Sequence, residues 1–172
     1  LLKGNDLSVS VMKGKLTGTD FKDAEITTGN NGWVKIVKPR PSGMDEWTHR
    51  YRNASGSTVS QDTVLGPLHG LQWIMGPVVP IGTHRKQSGC MRSANGRNFY
   101  LTATDISNLK MTVNQRNSSF FLVARDAFNG AFLWERPIKD KVNSETQDKM
   151  VAIGDRIYAI FEGKLVVLNA AT

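Results

Sequence analysis

The feature that most constrains this chain is a short pattern used twice. Leu122–Ile138 reads LVARDAFNGAFLWERPI, and Leu165–Thr172 reads LVVLNAAT, 43 residues further on. In the first copy, Leu122, Val123 and Ala124 form an apolar run. Asp126, Asn129 and Gly130 carry turn chemistry. Phe132, Leu133 and Trp134 form a return strand that Pro137 ends. Aligned position by position, Asn169 falls on Asp126, and the residue after Thr172 would fall on Gly130. A period of this size suits a unit of about four short antiparallel strands stacked on its neighbours.

The rest of the chain follows the same punctuation. Met91–Ala103 reads as a hairpin with Asn95-Gly96 at its turn, and Met150–Ile160 repeats that layout around Gly154. Each hairpin precedes a strand that opens into an Asp/Asn-Ala turn. Glu25–Thr28 and Trp33–Val37 read as a hairpin across Gly29-Asn30-Asn31-Gly32. Leu7–Met12 alternates as LSVSVM, which predicts a short strand with Leu7, Val9 and Val11 on one face. The spacing Gly32…Ile36…Pro39 parallels Gly130…Trp134…Pro137, which predicts a degenerate earlier return strand. Residues 39–70 and 78–89 read as long loops, with Leu71–Met75 a strand between them, and 104–118 as a polar connection.

The expected fold class is all-β: a partial β-propeller of four-stranded antiparallel blades, about two to three in number. The expected divisions are 1–44, the end of a preceding β segment; 45–89, a connection and strand leading in; 90–138, one blade; and 148–172, the start of the next. Inner strands such as Val151-Ala152-Ile153 and Leu165–Leu168 are expected to be buried on both faces. Gly130 meets a need for positive φ, Asp126 accepts backbone N–H groups of its turn, and Trp134 packs across to the next unit. These three residues are read as structural.

Composition excludes some roles. The chain has 40% hydrophobic residues, and no apolar run long enough for a membrane helix. LLKGNDLSVS lacks the charged and apolar regions of a signal peptide, and the chain reads as a piece of a longer one. One cysteine, Cys90, precludes an internal disulfide. The net charge of +7 is spread from end to end, without aromatic interleaving, so a solvated surface is favoured over nucleic-acid or acidic-polymer binding. His49, His69 and His84 show no metal-ligand spacing. Asp45-Glu46-Trp47-Thr48-His49 puts acids beside a histidine, but neighbours in sequence point different ways, so Trp47 is expected to staple the connection. His84 and Arg85, in the loop before a hairpin, are the candidate ligand-binding residues, with Arg85 suited to clamp an anion.

The residues also carry a family resemblance. Ala124, Asp126, Ala127, Gly130 and Trp134 match the A-x-D-A-x-T-G-x-x-x-W repeat of pyrroloquinoline-quinone-type β-propellers, with Asn129 in place of Thr. Trp47, Tyr51, Asn53, Gly56, Ser60, Leu71 and Trp73 follow the layout by which quinoprotein dehydrogenases lead into their propeller. The resemblance covers roughly residues 39–172 and implies a bacterial, periplasmic or otherwise extracytoplasmic protein. Family enzymes place an adjacent Cys pair over the quinone, and this chain has a single cysteine. The expectation is therefore a non-catalytic quinoprotein-like scaffold for binding or assembly, with no evident cofactor. Its partner would be a protein or small molecule at the propeller channel. The alternative is part of a quinone-dependent dehydrogenase oxidising alcohols or sugars, with pyrroloquinoline quinone and calcium.

Overall fold

The computed structural model describes residues 2–3, 8–19, 21–29, 33–67, 69–70, 91–102, 104–105, 110–111, 120–139 and 149–172. The chain divides into two compact units, Leu1–Ser42 and Gly43–Thr172. Both are built mainly of antiparallel strands.

In the first unit, β1 (Leu2–Lys3), β3 (Trp33–Val37) and β2 (Glu25–Thr28) form a sheet in that order, joined by the helix α1 (Val9–Leu16). The expected Glu25–Thr28/Trp33–Val37 hairpin is present, with Ile26 opposite Ile36 and Thr28 opposite Val34. Of the strand expected over Leu7–Met12, Leu7 lies outside the described residues and Val9–Met12 is instead the N-terminal part of α1. Ser8 caps it, its Oγ accepting from Val11 N at 3.3 Å, and Lys13 and Lys15 lie in its last turn. Met12 is buried, Val9 and Leu16 are half-buried, and Val11 is exposed. The inward stripe thus runs 9, 12, 16, a helical spacing that the alternation of Ser and Val disguised. Trp33–Val37, expected as a degenerate return strand, is the central strand of its sheet, and Gly32 lies outside the described residues.

Among its described residues, the second unit holds a four-stranded sheet, a three-stranded sheet and a two-stranded ladder. The four-stranded sheet runs β4 (Arg92–Ala94), β5 (Arg97–Thr102), β8 (Phe120–Asp126), β9 (Phe132–Ile138). Between β5 and β8, β6 (Thr104–Asp105) pairs with β7 (Lys110–Met111), where the sequence suggests only a polar connection. The three-stranded sheet runs β10 (Met150–Ile153), β11 (Arg156–Phe161), β12 (Lys164–Asn169). All neighbours in both sheets are antiparallel.

The three hairpins expected from 91 onward are present, each with its turn chemistry. Asn95 and Gly96 both take positive φ, 47° and 72°, as a tight two-residue turn requires. Gly130 has φ 71°. Asp126 Oδ1 accepts from Phe128 N at 2.8 Å and Asn129 N at 3.0 Å, and Asn129 Oδ1 accepts from Ala131 N at 2.8 Å. The second copy repeats this in shortened form, with Asn169 Oδ1 accepting from Ala171 N at 2.9 Å. The tie between turns is also repeated. Ala127 N donates to Gly96 O, and Ala170 N donates to Asp155 O, both at 2.9 Å.

One core lies between the two sheets. Ala94, Phe99, Leu101, Leu122, Ala124 and Ile138 face Met150, Ala152, Ile157, Ala159, Leu168 and Ala170. Trp134 packs at its margin, 6.1 Å from the Phe99 ring between centroids, and its Nε1–H donates to Ala170 O at 3.1 Å. The expected packing of Trp134 across to the next copy is therefore what the structure has.

The expectation that both second-sheet inner strands are buried on both faces is corrected. Ala152, Ile157 and Leu168 are buried, but Ile153, Ile160, Leu165 and Val167 are 52%, 41%, 70% and 48% exposed. The period-two alternation sends them to the opposite face, which no described residue covers. In the four-stranded sheet, by contrast, Leu122, Val123 and Ala124 are all fully buried. Leu71–Met75 and the 78–89 loop lie outside the described residues.

Candidate functional site

The densest polar arrangement lies where a strap, residues 45–62, crosses the first strands of the two sheets. Its backbone is stitched to both. Ser93 N on β4 donates to Trp47 O at 2.8 Å, and Ala152 N on β10 donates to Thr48 O at 2.9 Å. Trp47 thus holds the connection, as the sequence suggests, but through its backbone. β4 and β10 also meet directly: the fully buried Arg92 donates from Nε to Met150 O at 2.9 Å.

Asp45 organises the strap. Its Oδ2 accepts from Gln61 N at 2.8 Å and Ser60 Oγ at 3.3 Å, and its Oδ1 accepts from Glu46 N at 2.9 Å. Arg52, nine-tenths buried, donates from Nη1 to Gln61 Oε1 at 2.9 Å and reaches Asp45 Oδ1 at 3.5 Å; its Nε has no hydrogen-bond partner. Asp62 Oδ1 accepts from Val64 N and Leu65 N, both at 2.8 Å. Gly43 belongs to the same closure. Thr63 N donates to Gly43 O at 2.9 Å, and a β-carbon on Gly43 would collide with the Thr63 side chain.

The backbone N–H of Gln61, then that of Glu46 and the Arg52 charge, hold the Asp45 carboxyl below the ordinary carboxylate range against the opposing effect of burial. A depressed folded value means that this stabilisation is present above the unfolded value, about 3.9, and is lost as pH falls through the folded one. We expect the Glu46 and Gln61 amide resonances to titrate together with a midpoint below about 3.9. Asp45→Asn should abolish that step. A midpoint at or above the ordinary value would contradict the assignment.

At the turn end of the sheets a second cluster forms. Glu46 Oε1 accepts from Asn95 N at 2.7 Å. Asn95 Nδ2 and Arg97 Nη1 both donate to Asp155 Oδ1, at 2.7 and 2.8 Å. Hydrogen bonding from Arg97, then Asn95, lowers the Asp155 carboxyl. Glu, Asn and Asp are donor types for a hard cation. Here, however, the Asn95 amide turns its N–H to Asp155, and the Arg97 guanidinium brings the positive charge. Among the described residues, no group of three or more His, Cys, Asp or Glu side chains is placed to hold a metal ion.

On the far face of the four-stranded sheet, Arg125 is buried, donating from Nε to Tyr100 Oη at 2.9 Å and from Nη1 to Gly130 O at 2.7 Å. Burial raises the Tyr100 hydroxyl above its usual value, partly offset by Arg125.

The sequence-derived candidates separate. His84, Arg85 and Cys90 lie outside the described residues. His49 Nδ1 is 2.7 Å from Thr48 Oγ1, while Asp45 and Glu46 accept from backbone N–H groups of different partners. His69 is exposed. Sequence reading missed Arg52, Arg92, Arg97 and Asp155. The matching placement of Arg97 and Arg156 directly after the two hairpin turns was the available signal for Arg97. Among the described residues no helix is long and apolar enough to cross a membrane. Comparison of the chain with protein-family models, curated proteins and solved structures found no match.

Proposed function

We propose that the chain is an arc of a quinoprotein-like β-propeller that serves as a non-catalytic scaffold for binding or assembly. One observation supports this reading above the others: the uncovered face of the second sheet is the same face that the first sheet buries. By turn register, Ile153, Tyr158, Ile160, Leu165 and Val167 occupy the positions of Ala94, Phe99, Leu101, Leu122 and Ala124. The latter five are buried against the next sheet. A repeat whose face is completed by its successor is how stacked blades grow into a ring. The repeat residues Asp126, Gly130 and Trp134 hold turns and the intersheet contact, which supports a structural role for them.

The resemblance of 39–172 to the quinoprotein repeat supports an extracytoplasmic setting, with a protein or small-molecule partner at the ring's channel. The alternative, a quinone-dependent dehydrogenase, draws on that resemblance but has neither an adjacent Cys pair in the sequence nor a cation site in the Glu46/Asn95/Asp155 cluster. Adding pyrroloquinoline quinone and calcium to the protein separates the two. The scaffold reading expects no dye-linked oxidation of alcohols or sugars and an unchanged thermal midpoint. Turnover, or a saturable rise in the midpoint with quinone, would replace it with the dehydrogenase.

A further inference from the structure

The chain holds three Asn-Gly pairs, Asn31-Gly32, Asn95-Gly96 and Asn129-Gly130. Asn31-Gly32 lies outside the described residues, and the other two sit in hairpin turns. An asparagine followed by glycine is open to attack by its own backbone. The glycine amide nitrogen, uncrowded by any Cβ, can reach the side-chain carbonyl carbon. The two turns differ in whether that nitrogen is held. Gly130 N donates to Asp126 O at 3.0 Å, and Asn129 Oδ1 accepts from Ala131 N at 2.8 Å. Gly96 N donates to no group among the described residues, although Gly96 O accepts from Ala127 N at 2.9 Å. Asn95 is exposed, and its Nδ2 rests on Asp155 Oδ1 at 2.7 Å. The Asp155 side chain is 65% exposed, so water replaces that bond readily. Each side-chain amide thus has a bond to release, and the nucleophile decides between the two sites.

We propose that Asn95 is a site of spontaneous deamidation, and that its conversion severs the tie its amide makes between the turns of the two sheets. The Gly96 N–Cγ bond forms as the nitrogen gives its proton to water, and the Cγ–Nδ2 bond breaks as Nδ2 leaves as ammonia. Water then opens the cyclic imide at either carbonyl, giving aspartate or isoaspartate. One water is consumed, one ammonia is released, and nothing is oxidised or reduced. Both products undo what Asn95 holds. Asn95 N donates to Glu46 Oε1 on the strap at 2.7 Å, while Nδ2 reaches Asp155 on the second sheet. Aspartate replaces the Nδ2 donor with a carboxylate between Glu46 and Asp155, and the single Arg97 bond to Asp155 does not offset three acids together. Isoaspartate adds a methylene to the backbone of a two-residue turn, next to the Ala94–Arg97 pair that sets the β4–β5 register. The change is one-way, so it acts as a clock on the contact between the sheets. This inference is independent of whether a quinone binds and of what the scaffold carries.

The test is to age the whole protein in mildly alkaline buffer and follow both asparagines by peptide mass mapping, with isoaspartate read by enzymatic methylation. Asn95 is expected to convert about tenfold faster than Asn129, the rate equivalent of one hydrogen bond that need not be broken. Asp155→Ala, which frees the Asn95 amide, should speed conversion at Asn95 and leave Asn129 unchanged. Amide exchange at residue 95 should rise in the converted protein, and Asn95→Asp should show the same rise without ageing. Equal rates at the two asparagines, faster conversion of Asn129 or an intact Asn95 would overturn the assignment of the site. Unchanged exchange at residue 95 after conversion would overturn the severed tie.

Discussion

Leu122→Glu should unfold the Gly43–Thr172 unit, while Leu165→Glu should leave it folded. The two leucines occupy the same place in the repeat, on equivalent strands, directly before Val123 and Val166. Leu122 is fully buried in the intersheet core, and Leu165 is 70% exposed. A carboxylate at Leu122 would enter an apolar environment with no partner and leave the packing of Phe99, Ala152 and Leu168 incomplete. That combination costs more than about 4 kcal/mol, a large part of a small unit's stability. At Leu165 the carboxylate stays hydrated, and the change should be within about 0.5 kcal/mol. Urea unfolding of the two variants measures the difference. Equal destabilisation would mean that the outer face of the second sheet is covered after all.

The second large effect concerns the intersheet contact. Phe99 is fully buried, and Phe99→Ala should cost about 4 kcal/mol by removing ring packing and opening a cavity. Trp134 is half-buried, and Trp134→Ala should cost about 3 kcal/mol. Because the rings touch, the double variant should fall short of the sum by about 1 kcal/mol. Trp134→Phe separates the indole's two roles. It keeps most of the packing and loses the Nε1–H bond to Ala170 O, for a cost of about 1 kcal/mol. Strict additivity of the Phe99 and Trp134 substitutions in chemical denaturation would show that the sheets are not coupled through this pair.

What could be read from the sequence divides by the range of the interaction. Turns were legible because their chemistry is local: Asn95-Gly96, Asp126 and Gly130 need only their own neighbours to explain them. The contact of Trp134 was legible because the pattern repeats, and a repeat states what the next copy must provide. Val9–Met12 was misread because so short an alternation satisfies either period. Ser8 as a cap and Met12 as the inward residue decided for the helix. Burial of β10 and β12 was overstated because apolar content reports what a strand can bury, not whether a neighbour is there to bury it. The polar clusters were the least legible. Arg52 meets Gln61, Arg92 meets Met150 and Arg97 meets Asp155 only once the strap and two sheets are assembled, and composition treats all three as surface charges.

The central claim is that the two sheets of the second unit are copies of one element, whose face and edge are each completed by the next copy. It can be tested by extending the chain. Thr172 is followed, in the register of the repeat, by the position of Gly130. A copy of residues 130–172 joined after Thr172 therefore supplies a fourth strand to the second sheet and a third sheet to cover it. Hydrogen exchange of the extended protein is the deciding measurement. The account predicts new protection at Lys164–Asn169 and at Ile153, Tyr158 and Ile160, matching that at Phe120–Asp126. An appended segment that exchanges freely, with those amides no better protected than before, would contradict it.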